Sequence, residues 1–157
     1  MDMRYNNKLF GEVWKRVGAQ SDRPVMPSPP PAPETPDESS RLRGFMTDEA
    51  NGAHFYAEMA RKTPDKAQRS VFIRLSNEEK HHLRKLQAEY YIESGSIFTP
   101  TVGKTNISSV TSALRERYMA ETEGASEYRR AALETKSARL RDVYSMLAAD
   151  EIGRAHV

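Results

Sequence analysis

The chain has 157 residues, enough for one core domain with an appendage, and its 38% apolar and 29% charged residues are typical of a soluble helical protein. A net charge of +2 gives no electrostatic argument for a nucleic-acid partner, and the absence of cysteine excludes disulfides and cysteine-held iron within this chain. The sequence contains no apolar run of about eighteen residues and no apolar signal segment at its start, so we expect a cytoplasmic protein.

Residues 5–18 form the first predicted helix. It is amphipathic, and its apolar stripe consists of Leu9, Phe10, Val13, Trp14 and Val17. A helix this short is not stable alone, so it should pack on another surface. Three surfaces are open to it, in order of preference: its own bundle or a second copy, another protein, and a membrane surface.

Residues 19–39 are predicted to be a linker. They contain most of the nine prolines of the chain, including Pro29, Pro30 and Pro31 in succession. Proline-rich segments favour the extended polyproline II conformation and offer no core-forming side chains. This segment therefore separates the first helix from the domain that follows.

Four further helices are predicted, over residues 40–62, 64–93, 108–134 and 137–155. The first is capped by Ser39 or Ser40 and the second by Thr63. Short connections make each pair of helices antiparallel, and residues 94–107 form one long connection between the pairs. In the third of these helices we expect the following residues to face inward: Val110, Leu114, Tyr118, Glu121, Ala125, Tyr128 and Ala132.

A Glu-x-x-His motif lies in the second of these helices. Glu79 and His82 are three residues apart, so their side chains leave the helix from nearly one face, which also carries Leu75 and Leu86. A carboxylate and an imidazole on an inward face need a partner, because burying them alone carries a large desolvation cost. A divalent metal ion would satisfy both groups.

The two helix pairs are copies of one unit. A shift of 72 positions gives thirteen identities over residues 40–79, where chance would give about two or three. Among them are Glu49 with Glu121, Gly52 with Gly124, Tyr56 with Tyr128, and Glu79 with Glu151. The duplication brings four carboxylates towards one axis, where they would repel each other unless a cation lay between them. The paired glycines suggest a close approach of helices near this site.

Residues 40–157 resemble the ferritin-like superfamily, most closely its rubrerythrin-type di-iron domain. The resemblance is carried by Glu49 to Tyr56, Glu79 to His82, Glu121 to Tyr128, and Glu151. It implies an all-α fold, an antiparallel four-helix bundle with one long crossover. It also implies roles for the matching residues. Glu79 and Glu151 would bridge two metal ions, Glu49 and Glu121 would be terminal ligands beside His82, and Tyr56 and Tyr128 would bind ligand carboxylates.

One position departs from the family pattern. The residue three positions after Glu151 is Arg154, which stays charged and cannot ligate a metal. Either one metal lacks its nitrogen ligand, or Arg154 replaces the charge of that metal by pairing with Glu121 or Glu151. This departure puts full di-iron chemistry in question more than it does metal binding.

The resemblance implies a non-haem iron protein that oxidises Fe(II) with peroxide or oxygen, with two irons if the site is complete and with manganese as a further choice. Such an enzyme would need an external electron donor, because the chain has no rubredoxin-type iron site. The alternative is a degenerate bundle that acts as a structural or partner-binding scaffold with at most one metal. We expect a homodimer or a higher homo-oligomer, and no nucleic acid.

Overall fold

The structure, a computed structural model, describes residues 37–107 and 109–155, with the side chains of 154 and 155 excepted. It contains four helices: α1 Glu38–Lys62, α2 Lys66–Ser94, α3 Val110–Glu134 and α4 Ala138–Ala155. The described part of the chain has no strand and no helix long and apolar enough to cross a membrane. The predicted helix over residues 5–18 and most of the predicted linker lie outside the described residues.

Aspartates begin the first two helices, where the sequence analysis had placed a serine and a threonine. Asp37 is the N-cap of α1 and accepts a hydrogen bond of 2.7 Å from the backbone of Ser40. Asp65 caps α2 in the same way, because its side chain accepts a hydrogen bond from the backbone amide of Gln68, three residues later. Thr63 instead ends α1, and its hydroxyl donates to the carbonyl of Met59 at 2.7 Å. An aspartate accepts more strongly than a hydroxyl at such positions, because its charge also interacts with the helix dipole.

The two hairpin turns are built alike. Arg69 Nε donates to the carbonyl of Thr63 at 3.0 Å, and Arg141 Nη2 donates to the carbonyl of Thr135 at 3.2 Å. Both threonines are buried C-caps. A carbonyl just past the last helical turn has no intrahelical donor, so each arginine supplies one from the following helix. The repeated Thr and Arg therefore fix each hairpin turn.

All four helices contribute to the main apolar core. It contains Leu42, Phe45, Met46, Leu86, Tyr90, Tyr128, Ala131, Ala132, Leu140, Tyr144, Leu147 and Ala148. A second cluster contains Tyr56, Met59 and Ala60 of α1, Phe72 near the start of α2, Ile107 of the connection and Ala113 near the start of α3. Along α1, α2 and α3, the buried Glu49, Glu79 and Glu121 occupy the turns between these two clusters. The bundle thus has a polar layer inside it.

The inward face of α3 differs from the prediction in its first half. Val110, Leu114 and Tyr118 were expected inside, but they are 46, 38 and 52% exposed. The inward positions there are taken by Ala113 and Arg117, which lie eight and four residues before Glu121, respectively, on one face of the helix. The apolar pattern misled the prediction because the side chain that faces the interior at this level is a charged one.

The connection from α2 to α3 contacts α1 at two points. It leaves α2 at Gly95, whose φ of 67° is the left-handed conformation that glycine adopts readily. Phe98 then packs on Tyr90, and the amide of Gly103 donates to Asn51 Oδ1 at 2.9 Å. Near the end of the connection, the carbonyl of Ile107 accepts from Lys62 at the last turn of α1. These contacts bring the start of α3 beside the end of α1.

Candidate metal centre

Four buried side chains form a cluster with the geometry of a metal site. They are Glu49 on α1, Glu79 and His82 on α2, and Glu151 on α4, and one ligand atom from each lies within 4.8 Å of all the others. Their residues are 0 to 4% exposed. Two ligands of one divalent ion, each bonded at about 2.0–2.6 Å, can be at most about 5 Å apart. The four groups are therefore close enough to bind one ion together.

The imidazole of His82 is oriented by contacts on both of its nitrogens. Nε2 lies 3.2 Å from Asp150 Oδ2, while Nδ1 lies 3.5 Å from Glu49 Oε2 and 3.7 Å from Glu151 Oε1. An ionised carboxylate only accepts hydrogen bonds, so Nε2 carries the hydrogen that Asp150 receives. In the neutral imidazole, Nδ1 then presents its lone pair to the glutamates. A carboxylate behind the ring is the usual partner of a metal-binding histidine.

The donor set suits a hard divalent ion. Glu49 Oε2 is buried and accepts no hydrogen bond from the described residues, a costly state for a carboxylate oxygen unless a cation is near. Three carboxylates with one imidazole favour iron or manganese over metals that select sulfur. The residues present therefore fit a metal of this class.

The two tyrosines of the repeat bind glutamates across the bundle. Tyr128 donates to Glu49 Oε1 at 2.7 Å, and Tyr56 donates to Glu121 Oε1 at 2.9 Å. Burial raises the pKa of both phenols, and the neighbouring glutamate charge raises each pKa further. Both phenols therefore stay protonated and act as hydrogen-bond donors to the carboxylates.

A guanidinium lies where the second half of the site was expected. Arg117 Nε is 2.6 Å from Glu121 Oε1, and Arg117 Nη2 is 2.8 Å from Glu79 Oε1. The guanidinium carbon also lies 5.4 Å from the centre of the Tyr56 ring, a cation–π contact. Glu121, which was predicted to be a terminal metal ligand, is not one of the four residues of the cluster, and its role as a ligand stays a prediction.

The charge of Arg117 is held by its surroundings. Desolvation lowers the pKa of this arginine, but the carboxylates of Glu79 and Glu121 more than offset the effect, so the pKa is raised above its ordinary value. The side chain is 17% exposed. A permanent, largely buried cation therefore pairs with two of the four buried glutamates that the repeat shares, Glu79 and Glu121.

Arg117 was not among the site residues predicted from the sequence. Its signal was present, because Arg117 lies four residues before Glu121 on the same helical face, and under the 72-residue shift it aligns with Phe45. The two residues occupy equivalent places in the fold. Phe45 packs on the Tyr128 ring with centroids 4.2 Å apart, as Arg117 packs on Tyr56. One half of the duplication therefore places an aromatic ring where the other half places a cation.

The two repeat glycines have different surroundings. A Cβ added at Gly52 would lie 2.5 Å from Arg117 Nη2 and 3.1 Å from Glu79 Cδ, whereas one added at Gly124 would meet no atom within 4 Å. The atoms nearest to Gly52 belong to the side chains of Arg117 and Glu79, and no atom lies close to Gly124, so the glycines make room for side chains at one copy and for none at the other. The side chain of Arg154, which was expected to pair with a glutamate, lies outside the described residues.

The fold and the site define a class, an all-helical four-helix bundle with a buried Glu/His cluster, compatible with a ferritin-like fold. The chain is similar to a solved structure described as the hypothetical protein Pfu-1136390-001 from Pyrococcus furiosus. The TM-score is 0.66 with 20% sequence identity, over 75% of this chain and 83% of that one. At this identity the likeness shows the fold alone. No protein-family profile and no curated protein matches the sequence.

Proposed function

We propose that this chain is a ferritin-like metal protein that binds one divalent ion, iron or manganese, in the cluster of Glu49, Glu79, His82 and Glu151. The observation that carries the proposal is the pair of ionic contacts between Arg117 and the carboxylates of Glu79 and Glu121. In a two-metal site those oxygens would face a second metal ion. Here they face a guanidinium, so one metal ion and one arginine share the four carboxylates.

Charge supports a cation at the cluster. Glu49, Glu79, Glu121 and Glu151 are buried, and Arg117 is in ionic contact with Glu79 and Glu121. Carboxylates that are buried together at low dielectric are stabilised by positive charge between them. A divalent ion held by Glu49, Glu79, His82 and Glu151 would supply that charge on the side of the cluster that Arg117 does not contact.

Each side chain has a part in holding the ion. Asp150 fixes the His82 ring so that Nδ1 points to the cluster, and Tyr128 holds one oxygen of Glu49 while leaving Oε2 for the metal. The four side chains are buried, which strengthens their interaction with a cation. A bound iron would supply one-electron chemistry between Fe(II) and Fe(III). Reduction of one peroxide to two waters would then take two protons and one electron from each of two Fe(II)-loaded chains.

The experiment is a measurement of metal content. Protein loaded anaerobically with Fe(II) or Mn(II), desalted and read by elemental analysis should hold one metal ion per chain. His82→Ala and Glu151→Gln should lose it, since each removes one of four ligands. The matched control is His81→Ala, which changes an exposed histidine beside the site and should bind as the wild type does. Equal binding by His82→Ala would contradict the proposed site.

A two-metal site is the second candidate, and the mirrored contacts of the tyrosines favour it. Tyr56 binds Glu121 as Tyr128 binds Glu49, so the second half retains the carboxylate and phenol that a second metal would use. Reduction of peroxide to two waters consumes two electrons and two protons, and two Fe(II) ions could supply the electrons. This candidate requires two metals per chain and a ferric oxo-bridge absorption after peroxide is added. An external donor would then have to reduce the irons again.

Absence of metal would support the scaffold alternative. If the wild type holds no metal and its melting temperature does not change when Fe(II) is added, the bundle is a structural or partner-binding domain. Two metal ions per chain would thus support the two-metal site, one would support the site proposed above, and none would support a scaffold without metal.

A further inference from the structure

A cavity between α1 and α3 leads to the candidate metal centre. Its volume is about 330 Å³, and its walls include the buried ligands Glu49 and Glu151. Nearer the surface it is lined by Asp48, Glu123 and Glu127, of which the first two are exposed and the third half-buried. Five carboxylates therefore line the cavity from solvent to the site. The lining also contains one guanidinium, that of Arg117, which is in ionic contact with Glu79 and Glu121.

The cavity owes part of its space to the asymmetry of the repeat. Gly124 lines the cavity, and a Cβ there would have no atom within 4 Å. The equivalent space at Gly52 is filled by the guanidinium of Arg117. One half of the duplication is therefore closed by a side chain, and the other half is open beside Gly124.

A second observation, independent of the acidic lining, indicates a cation at the end of the cavity beside Glu49. Glu49 is 3% exposed, it forms part of the cavity wall, and its Oε2 accepts no hydrogen bond from the described residues. A buried carboxylate oxygen in this state is stabilised by a cation that arrives from the cavity.

A second opening, between α2 and α4, is less suited to cations. It is wider, about 830 Å³, but its lining mixes Arg74 and His81 with acidic residues. It reaches the site at His82, whose outward nitrogen is already in contact with Asp150 at 3.2 Å. A metal ion in this opening would be near Arg74 and His81, and on the side of His82 where Nε2 already contacts Asp150.

We propose that the divalent ion enters through the cavity between α1 and α3, and that Asp48, Glu123 and Glu127 draw it in. This inference rests on the metal site proposed above. A cavity whose lining has a clear excess of one sign of charge raises the local concentration of counter-ions and hence their association rate. The exposed acidic residues set the rate of loading, while the buried ligands set the affinity.

The first test blocks each opening in turn. Gly124→Leu fills the acidic cavity, and its matched control Gly153→Leu fills the opening between α2 and α4, where an added Cβ also meets no atom within 4 Å. Co(II) alone is the probe, followed by stopped-flow absorption for association and by a chelator chase for dissociation. In Gly124→Leu both rate constants should fall by about fivefold or more while Kd stays the same, because access then requires a conformational opening. Gly153→Leu should match the wild type.

The second test removes charge without adding bulk. The triple variant Asp48→Asn/Glu123→Gln/Glu127→Gln should associate with Co(II) about tenfold more slowly at low ionic strength, and salt should have less effect on its rate than on that of the wild type. The matched control Glu78→Gln/Glu116→Gln/Asp142→Asn removes the same charge elsewhere and should keep the wild-type rate. This test does not depend on whether Gly124→Leu folds.

The outcomes separate the two proposals. If the wild type takes up no Co(II) at equilibrium, the metal site is wrong and the access route fails with it. If the wild type binds one equivalent but Gly124→Leu and the acidic triple variant load at the wild-type rate, the metal site stands and the proposed route is overturned. Slowing by Gly153→Leu alone would place access between α2 and α4 and would also overturn the inference.

Discussion

At the scale of single residues, Arg117 determines how the charge of the buried carboxylates is balanced. Breaking a buried ion pair by removing one partner is far costlier than the pair itself is stabilising, because the remaining charge stays in the low-dielectric interior. Glu79 and Glu121 both depend on this guanidinium. The residue therefore acts as a fixed cation within the protein, and its removal should leave a position that a metal ion can take.

Replacing this arginine should both destabilise the protein and change its metal content. In metal-free protein, Arg117→Met should lower the free energy of unfolding by about 3 kcal/mol, since two carboxylates lose their cation. With Fe(II) or Mn(II) present, the variant should bind a second equivalent and recover much of that loss. Urea unfolding with and without metal, together with elemental analysis, measures both effects.

The control for this variant is Arg115→Met, an exposed arginine two residues away on the same helix. It should leave stability and metal content as they are in the wild type. Retention of a single metal ion by Arg117→Met would show that the guanidinium does not take the place of a second one.

The two repeat glycines offer a paired test. Alanine favours a helix over glycine by about 1 kcal/mol, so Gly124→Ala, in open space, should stabilise the protein by up to that amount. Gly52→Ala should instead destabilise it by about 2 kcal/mol, because the new methyl group pushes the guanidinium from its carboxylates and the lost ion pair outweighs the helix gain. Thermal unfolding of the two variants measures the difference, and effects of the same sign would refute the crowding argument.

At the scale of elements, the bundle consists of two copies of one helical hairpin, α1 with α2 and α3 with α4. Each copy ends its first helix at a buried threonine and returns an arginine to that threonine's carbonyl. Two of the thirteen repeat identities, Thr63 with Thr135 and Arg69 with Arg141, thus have a structural role away from the metal centre. The duplication preserved both the turn that orients two helices and the glutamates that these helices carry.

Loss of either turn arginine should have a similar and moderate effect. Arg69→Met and Arg141→Met should each lower the free energy of unfolding by about 1 kcal/mol, because a helix-terminal carbonyl loses its donor. Arg84→Met, in the middle of α2 and exposed, should change it by less than half as much. Chemical unfolding of the three variants tests this, and equal values for all three would mean that the turn contacts add no stability.

At the scale of the whole molecule, the metal centre brings together helices that are far apart in the sequence. Its four groups come from α1, α2 and α4, and Glu49 and Glu151 are separated by most of the bundle's sequence. An unfolded chain does not hold these groups within 4.8 Å of each other, so the ion binds the folded state preferentially. Metal binding and global stability are therefore linked.

Metal should raise the melting temperature of the whole bundle. At a free ion concentration about a hundred times Kd, linkage adds about 2.7 kcal/mol, which corresponds to a rise of several degrees for a domain of this size. Scanning calorimetry with and without Mn(II), followed by chelator removal, tests the effect. His82→Ala should not respond to the ion while His81→Ala should, and an equal rise in both would indicate binding elsewhere.

Much of the fold could be predicted, and less of the site. The four helices between residues 40 and 155 are confirmed, with shifts of a few residues at their starts, because apolar periodicity and helix breakers are local signals. The spacing of Glu79 and His82 correctly put both on one buried face. The inward face at the start of α3 was predicted wrongly, because periodicity counts apolar side chains and Arg117 is not one.

By itself, the sequence determined which helix faces carry carboxylates and that the two hairpins are copies, since both follow from spacing along one chain. Only the tertiary structure decided how the copies differ where they meet. There, the guanidinium of Arg117 pairs with Glu79 and Glu121 in the space beside Gly52, whereas the space beside Gly124 is part of a cavity. The physical reason is that space and charge between two packed helices depend on the side chains of both, and the pattern of either helix alone does not contain them.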